Sequence, residues 1–572
     1  MPYHAPTDEH LFLLNNVLGY SRVSDTEKFE EAGLEMVEAI LNEAAKMADN
    51  VLAPLQTNGD LHPAVLENGV VRTSPGYKEG YQAISEGGWV GVTADPEHGG
   101  MGLPLTLATI VGEMMSSSCL ALSLNPLMTQ GQIEALEKHG SDMLKEVYLP
   151  KLISGEWTGT MNLTEASAGS DVGALRSKAV DNGDGTYRVT GQKIFISWGD
   201  HDVAENVCHL VLARLPDGVA GTKGISLFLV PKYIPDADGN PGVANSLSVV
   251  SLEHKLGLHG SPTAIMAFEE STGWLVGEPH AGMKAMFTMM NNARLGVGTE
   301  GLGVAEAAYQ KALEFSLERT QGKVPVEGGS GTIADHADVR RMLLTMKALS
   351  QTARAIILDT AISIDLGKAN GDAAQLARAA FLTPIAKAFS TDTGSEVADL
   401  GIQVHGGMGF IEETGAAQYA RDVRVTRIYE GTNGIQAMDL VARKLMDGGL
   451  AAFSVLSEIG GTAAQAEADM PDLAAFLSAA ENCLSATTTW MLEQENLNQR
   501  FAGAVPYLRA FGLTLGGHYL LKAAMAEGID GPRYAVARFH IRQLMTVVDG
   551  LCTQAREGAA SLYAFDPVAD AG

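Results

Sequence analysis

The segment Ile428-Tyr-Glu-Gly-Thr-Asn433 places one carboxylate, Glu430, directly before a Gly-Thr turn in an otherwise apolar setting. A second segment, Met161-Asn-Leu-Thr-Glu-Ala-Ser-Ala-Gly-Ser-Asp171, is a small-residue loop with three hydroxyls. Such a loop can cradle an anion through hydroxyls and backbone N–H groups. A third, Lys193-Ile-Phe-Ile-Ser-Trp198, puts Phe195 and Ser197 on one face of a strand, an aromatic plane beside a hydroxyl. Each also has a structural explanation: Thr164 and Glu165 could cap a helix, Phe195 could be sheet core, and Glu430 could be a first-turn acid favoured by the helix dipole. The glycine-rich Gly406-Gly-Met-Gly-Phe410 reads as a tight turn between helices.

The elements that must hold these residues follow from periodicity. From about Asp25 to Leu149 the pattern is helical, with apolar residues three and four apart between Met36 and Leu52, and Pro54, Pro75 and Pro104 punctuating the connections. This region is expected to be all-α. From Trp157 the runs Tyr187–Ile196, His209–Ala213 and Ile225–Val230 are short and β-branched or aromatic, and Asp181-Asn-Gly-Asp-Gly185 carries hairpin chemistry. Helices return from about Gly282, with Val339, Met342, Leu343, Met346 and Leu349 forming one core stripe. A loop from Gly322 to Gly331 separates two of them, and Gly448-Gly449 and Gly460-Gly461 bracket a linker. The expected class is α+β, mostly α: a helical domain over 1–156, a β domain over 157–275, a second helical domain over 276–450 and a helical extension over 451–572.

Composition removes several function classes. The 572 residues hold 40 Lys+Arg against 68 Asp+Glu, a formal net charge of -28. Without basic clusters there is no phosphate-binding surface for nucleic acid, and an anionic membrane would repel the chain. Cys119, Cys208, Cys483 and Cys552 lie far apart with no CxxC pair, and no HExxH occurs, so no metal site is expected. Neither GxGxxG after a strand nor GxxxxGK[ST] is present, which leaves a Rossmann site or a P-loop without support. The amino terminus lacks the basic-then-apolar pattern of a signal peptide, so a cytoplasmic location is expected. Among the 14 histidines, His405 alone falls inside a candidate loop.

Taken in order, TEASAGSD at 164–171, GQKIFIS at 191–197, ERTQG at 318–322, QVHGGMGF at 403–410 and IYEGTN at 428–433 resemble the acyl-CoA dehydrogenase family of flavoproteins over about 30–450. The helical extension, with DHD at 200–202 and GTNGIQAMDLVARK at 431–444, is similar to the long bacterial branch of that family. The resemblance implies an FAD enzyme that converts an acyl-CoA to the trans-2-enoyl-CoA. Glu430 would take the α-proton and flavin N5 the β-hydride, while flavin ribityl and the Glu430 backbone N–H hold the thioester oxygen as charge develops.

It further implies flavin contacts from Met161, Leu163, Thr164, Gly169, Ser170, Phe195, Ile196, Ser197 and Thr432. Phe195 stands where many members carry Trp, keeping a stacking plane without the indole donor, and Ser197 replaces the usual Thr. Arg319, Gln321, Gln403, Gly406 and Gly407 match segments that reach a neighbouring subunit's flavin, which implies a homo-oligomer, dimer or tetramer. Ser170, Asn291, Arg294 and Gly431 match substrate contacts, with Asn291 where relatives often have Asp; Arg294 could instead form a structural ion pair. The implied electron acceptor is an electron-transfer flavoprotein, with oxygen, as in acyl-CoA oxidases, the alternative. A flavin-carrying DNA-binding relative is disfavoured by seven basic against thirteen acidic residues in 451–572. The long branch implies a short thioether substrate, 3-methylmercaptopropionyl-CoA, ahead of short and medium straight chains. The extension is expected either to seal the acyl pocket or to extend the dimer interface.

Overall fold

Apolar residues at helical spacing flank a single stretch of strand-forming sequence, and the computed structural model, which describes residues 3–324 and 326–570 with the side chain of Asn291 excepted, has helices before and after one large sheet. The chain divides into two compact units, Glu43–Gly296 and Tyr3–Asn42 together with Val297–Gly572. Residues up to Gly296 of the long helix Gly282–Glu318 belong to the first unit and those from Val297 to the second.

In the unit Glu43–Gly296, the helices Tyr77–Glu86, Leu105–His139 and Asp142–Ile153 precede the sheet. The region is not wholly helical: Val65–Glu67 and Val70–Arg72 pair as a small antiparallel hairpin. Its turn, Asn68-Gly69, has both residues at positive φ, the conformation that Asn-Gly adopts most cheaply. The helix Leu105–His139 breaks at Cys119 (φ -154°, ψ 84°). It is long and apolar enough to cross a membrane, but 83% of its most apolar window is buried inside the protein, as a core helix requires.

The sheet has seven strands. Leu247–Leu252, Thr263–Val276, Tyr187–Ser197, Lys178–Asp181, Asn206–Arg214 and Trp157–Asn162 pair in that order, and Ile225–Pro231 pairs with both Thr263–Val276 and Asn206–Arg214. The double pairing closes five strands into a ring, and Leu247–Leu252 and Trp157–Asn162 each pair with one strand of it. Inside lie Val189, Ile196, Val211, Phe228, Val230, Met266 and Phe268. The expected hairpin joins Lys178–Asp181 to Tyr187–Ser197, with Gly183 N–H donating to Asp181 Oδ1 at 2.7 Å.

One irregularity matters for the site. Ile196 pairs with Ala264 but Lys193 pairs with Met266, so the Tyr187 strand holds one extra residue between them, a β-bulge. Val189 and Lys193 face inward before it and Ile196 after it, so the bulge turns Phe195 out of the core.

In the other unit, the helices Ala337–Asn370 and Ala373–His405 pack with Gly282–Glu318. A Cβ at Gly301 would lie 2.7 Å from the Ser390 carbonyl oxygen, and one at Gly394 2.5 Å from that of Gly301. Only glycines let these two backbones meet so closely, and the meeting brings Glu300 and Lys387 to one locality. The extension forms the helices Leu450–Ala466, Pro471–Glu493, Leu497–Glu527 and Val548–Arg556. Gly460 and Gly461 lie inside the first of these and are not linker. Buried Val455, Leu456, Ile459 and Ala463 at helical spacing outweigh the poor helix propensity of glycine there. Gly448 and Gly449 do form a turn, both at positive φ, with Asp447 accepting from the N–H groups of Gly449 and Leu450.

A polar cluster around buried Asp359 and Tyr519 ties the extension to the helices Ala337–Asn370 and Ala373–His405. Asp359 accepts from Tyr519 at 2.5 Å and from Arg378 at 2.7 Å, and Arg378 also reaches Glu458 at 2.7 Å. Burial works against ionised Asp359, but the Arg378 guanidinium outweighs it and holds the carboxyl below its usual range. All four cysteines are free thiols; Cys119, Cys208 and Cys552 are buried and Cys483 is half-buried.

Candidate active site

On the sheet-bearing unit, the strand Trp157–Asn162 runs into the loop that begins at Leu163, beside the bulged strand. Ile194 N–H donates to the Thr164 carbonyl at 2.9 Å, so the two segments singled out in the sequence lie side by side. Their anchor is an ion pair that the sequence did not reveal. Lys193, fully buried, directs its ammonium to Glu165 Oε1 at 2.8 Å and to the Leu163 carbonyl at 3.1 Å. Glu165 also accepts from the N–H groups of Arg176 and Ser177 and from the Ser177 hydroxyl. Burial opposes its charge, yet Lys193 and these donors hold its carboxyl below the usual range. Glu165 therefore fastens the loop and caps no helix.

Around this anchor Met161, Leu163, Thr164 and Ser197 are half-buried, while Gly169 and Ser170 are exposed. Phe195 is 59% exposed with φ 62°, and so is not sheet core. A left-handed backbone at an aromatic residue is strained, and an aromatic plane held out towards solvent at that cost suits a planar ligand. Ile196 is different: its side chain is buried in the sheet core, leaving only its backbone for a ligand. Arg294, on the Gly282–Glu318 helix of this unit, is buried, and Asn291's side chain lies outside the described residues.

On the helical unit, Glu430 (φ 53°) and Gly431 (φ 83°) form a left-handed turn. Thr432 caps the helix Asn433–Ala442 by accepting from Ile435 N–H at 3.3 Å. Glu430 thus precedes the cap and is not a first-turn acid. The turn is held on every side. Gln436 Nε2 donates to the Glu430 carbonyl at 3.0 Å, and buried Lys387 donates to the Gly431 carbonyl at 2.9 Å and to Asn433 Oδ1 at 3.0 Å. Asn433 Nδ2 in turn donates to Thr391 Oγ1 and Asp392 Oδ1, each at 3.0 Å. On the incoming side the Tyr429 hydroxyl donates to Glu300. The half-buried Glu430 carboxylate is therefore presented by a backbone fixed from three helices, an arrangement suited to proton abstraction.

In this unit Arg319 and Gln321 follow the end of the helix Gly282–Glu318, and Gln403, Gly406 and Gly407 lie at the end of Ala373–His405. Phe315 and His405 stack with ring centroids 4.4 Å apart, joining the end of one helix to the end of the other. His405 Nδ1 is engaged by the Gly401 carbonyl at 2.7 Å, which gives it a structural place in that turn. The five predicted residues are all exposed. The roles of Glu300 and Lys387 carried no sequence signal, because their partners lie too far off in sequence to show as a motif; Lys193 and Gln436 fall inside recognised motifs, but their anchoring bonds could not be read there.

The comparisons with known proteins match four domains along the chain. The chain matches the acyl-CoA dehydrogenase N-terminal domain at residues 35–156, the middle domain at 160–271 and the C-terminal domain at 280–446. Residues 455–566 match an acetyl-CoA dehydrogenase C-terminal-like domain. It is 43% identical to 3-methylmercaptopropionyl-CoA dehydrogenase of Ruegeria pomeroyi, covering 92% of each chain, and 34% identical to a butyryl-CoA dehydrogenase of Syntrophomonas wolfei, covering 89% of this chain and 87% of the other. Caenorhabditis elegans ACDH-11, solved in complex with C11-CoA, shares the fold with a TM-score of 0.80 at 20% identity, over 95% of this chain and 92% of that one. Butyryl-CoA dehydrogenase of Megasphaera elsdenii has a TM-score of 0.60 at 26% identity, over 71% of this chain and 97% of its own. With its motifs, its sheet between helical regions and relatives matched over nearly their full length, this chain belongs to the acyl-CoA dehydrogenase family, oxidoreductases acting on the CH–CH group.

Proposed function

We propose that the protein dehydrogenates a short acyl-CoA to its trans-2-enoyl-CoA with FAD as cofactor, Glu430 removing the α-proton, and that its preferred substrate is 3-methylmercaptopropionyl-CoA. The observation that carries the reading is the turn at Glu430, a carboxylate on a strained left-handed backbone fixed by Lys387, Gln436 and Tyr429. The substrate rests on the 43% identity to the Ruegeria enzyme over 92% of both chains.

The residues present fit a flavin. Phe195 offers an exposed ring, and Leu163, Thr164 and Ser197 offer backbone and hydroxyl groups on a loop made rigid by Glu165 and Lys193. When bound, the flavin would supply the hydride acceptor. The chain's own work is to hold the Glu430 carboxylate ready and keep its backbone from relaxing. The Glu430 backbone N–H would donate to the thioester oxygen, a contribution that grows as the enolate forms. Arg294, Ser170 and Gly431 are the proposed substrate contacts, and Thr432 a flavin contact beside the base. Arg319, Gln321, Gln403, Gly406 and Gly407 are proposed to serve a neighbouring subunit's cofactor in a homo-oligomer. Exposed Met408, Phe410 and Ile411 beside them support an interface there. Electron-transfer flavoprotein is the proposed acceptor.

Glu430→Gln is expected to retain flavin and ligand binding and lose turnover; undiminished activity in the purified variant would sink the assignment. Comparing kcat/KM for methylmercaptopropionyl-CoA, butyryl-CoA and octanoyl-CoA tests the substrate, and peroxide formation in air without an added acceptor would point to an oxidase instead.

A further inference from the structure

The proposed reaction leaves one buried carboxyl beside the base without a task. Glu300 is 1% exposed. Its Oε2 accepts from the Tyr429 hydroxyl, while its Oε1 has no hydrogen-bond partner among the described residues. An ionised carboxylate with one oxygen unsatisfied and out of water is costly, whereas a neutral acid there is far less so. Burial is the main cause that raises this carboxyl. The Tyr429 hydrogen bond opposes it, the Glu430 charge adds to it and the Lys387 charge opposes it, and the balance pushes Glu300 up to about 8. At neutral pH Glu300 is therefore mostly uncharged.

Tyr429 is the residue immediately before the left-handed turn. Lys387 and Gln436 fasten the carbonyls of Gly431 and Glu430, which is the outgoing side. The Tyr429 hydroxyl fastens the incoming side to the Gly282–Glu318 helix. Glu300 occupies its place because glycines at 298 and 301 allow that helix against Ala373–His405.

We propose that Glu300 is a positioning residue for Glu430: by holding the Tyr429 hydroxyl, it locks the turn that presents the Glu430 carboxylate. The inference rests on the reading of Glu430 as the base. Because Glu300 is uncharged at neutral pH, it fixes the turn without placing a second negative charge where the substrate enolate must form.

The test compares Glu300→Ala, Glu300→Gln and Tyr429→Phe in the flavin-loaded enzyme, assayed with butyryl-CoA and methylmercaptopropionyl-CoA and an artificial electron acceptor. Glu300→Ala and Tyr429→Phe are expected to lower kcat about tenfold or more with KM changed less than about twofold, the signature of a misplaced reacting group. Glu300→Gln, which keeps the acceptor and is always neutral, is expected to rescue most of the kcat lost in Glu300→Ala. Infrared difference spectra of wild type minus Glu300→Gln should contain a protonated carboxyl C=O band at neutral pH that titrates away around pH 8. If Glu300→Ala does not fold, Tyr429→Phe and the infrared band decide the matter. Wild-type kcat in Tyr429→Phe, or no protonated carboxyl band, would overturn the proposal. Full turnover in Glu430→Gln would instead overturn the reading beneath it, and the infrared band would be unaffected by that result.

Discussion

Lys193 and Lys387 are both fully buried, and each directs its ammonium at oxygens that shape a loop carrying candidate chemistry. Neither would touch the reacting atoms in the proposed function. Lys193 is visible in the GQKIFIS motif, and alternation along the strand points it inward. Its partner Glu165 stands 28 residues earlier in sequence, so the pairing could not be read there, and Glu165 invites a helix-cap interpretation instead. Lys193→Met would leave the Glu165 carboxylate buried without its counter-charge, a loss of about 3–5 kcal/mol. The expected outcome is a lowered thermal midpoint and faster flavin release on dilution. Glu165→Gln added to Lys193→Met should recover much of the stability, because the penalty comes from the orphaned charge and not from the lost contact.

At the scale of elements, legibility followed local chemistry. Asp181-Asn-Gly-Asp-Gly185 announced its hairpin because positive φ is cheap there, and the hairpin at Asn68-Gly69 carried the same signal between Val65 and Val71 but was lost among helical neighbours. The bulge that turns Phe195 outward had no such signal: it holds Ile194 and Phe195, neither of them a residue that favours positive φ. Tertiary pairing imposes it, and only the sheet register reveals it. Gly460-Gly461 misled in the opposite sense, since packing decides the helix that contains them. For the extension, the cluster of Asp359, Arg378, Glu458 and Tyr519 supports a role in bracing the helices Ala337–Asn370 and Ala373–His405. Arg378→Ala would strand the buried Asp359 carboxylate, and a destabilisation of about 3–5 kcal/mol is expected by denaturant unfolding. Truncation after Met446 would expose the same carboxylate together with apolar helix faces.

At the scale of the whole molecule, the charge of -28 makes self-association depend on apolar surface. Phe410 is 85% exposed and has Met408 and Ile411 as exposed neighbours, next to the glycine turn proposed to serve another subunit. Phe410→Asp would set a carboxylate in that apolar contact. Sedimentation velocity is expected to show smaller species with reduced flavin content, and an unchanged oligomer would place the interface elsewhere. The left-handed turn at Glu430 has a further consequence for the protein's evolution. A side chain at φ 53° raises the energy of the folded state by roughly 1 kcal/mol, and Gly or Asn would relieve it. Glu430→Gly and Glu430→Asn are therefore expected to be at least as resistant to heat as the wild type while unable to turn over substrate. Under the proposed function, selection for stability alone would drift away from glutamate at this position, and only selection for the reaction would keep it.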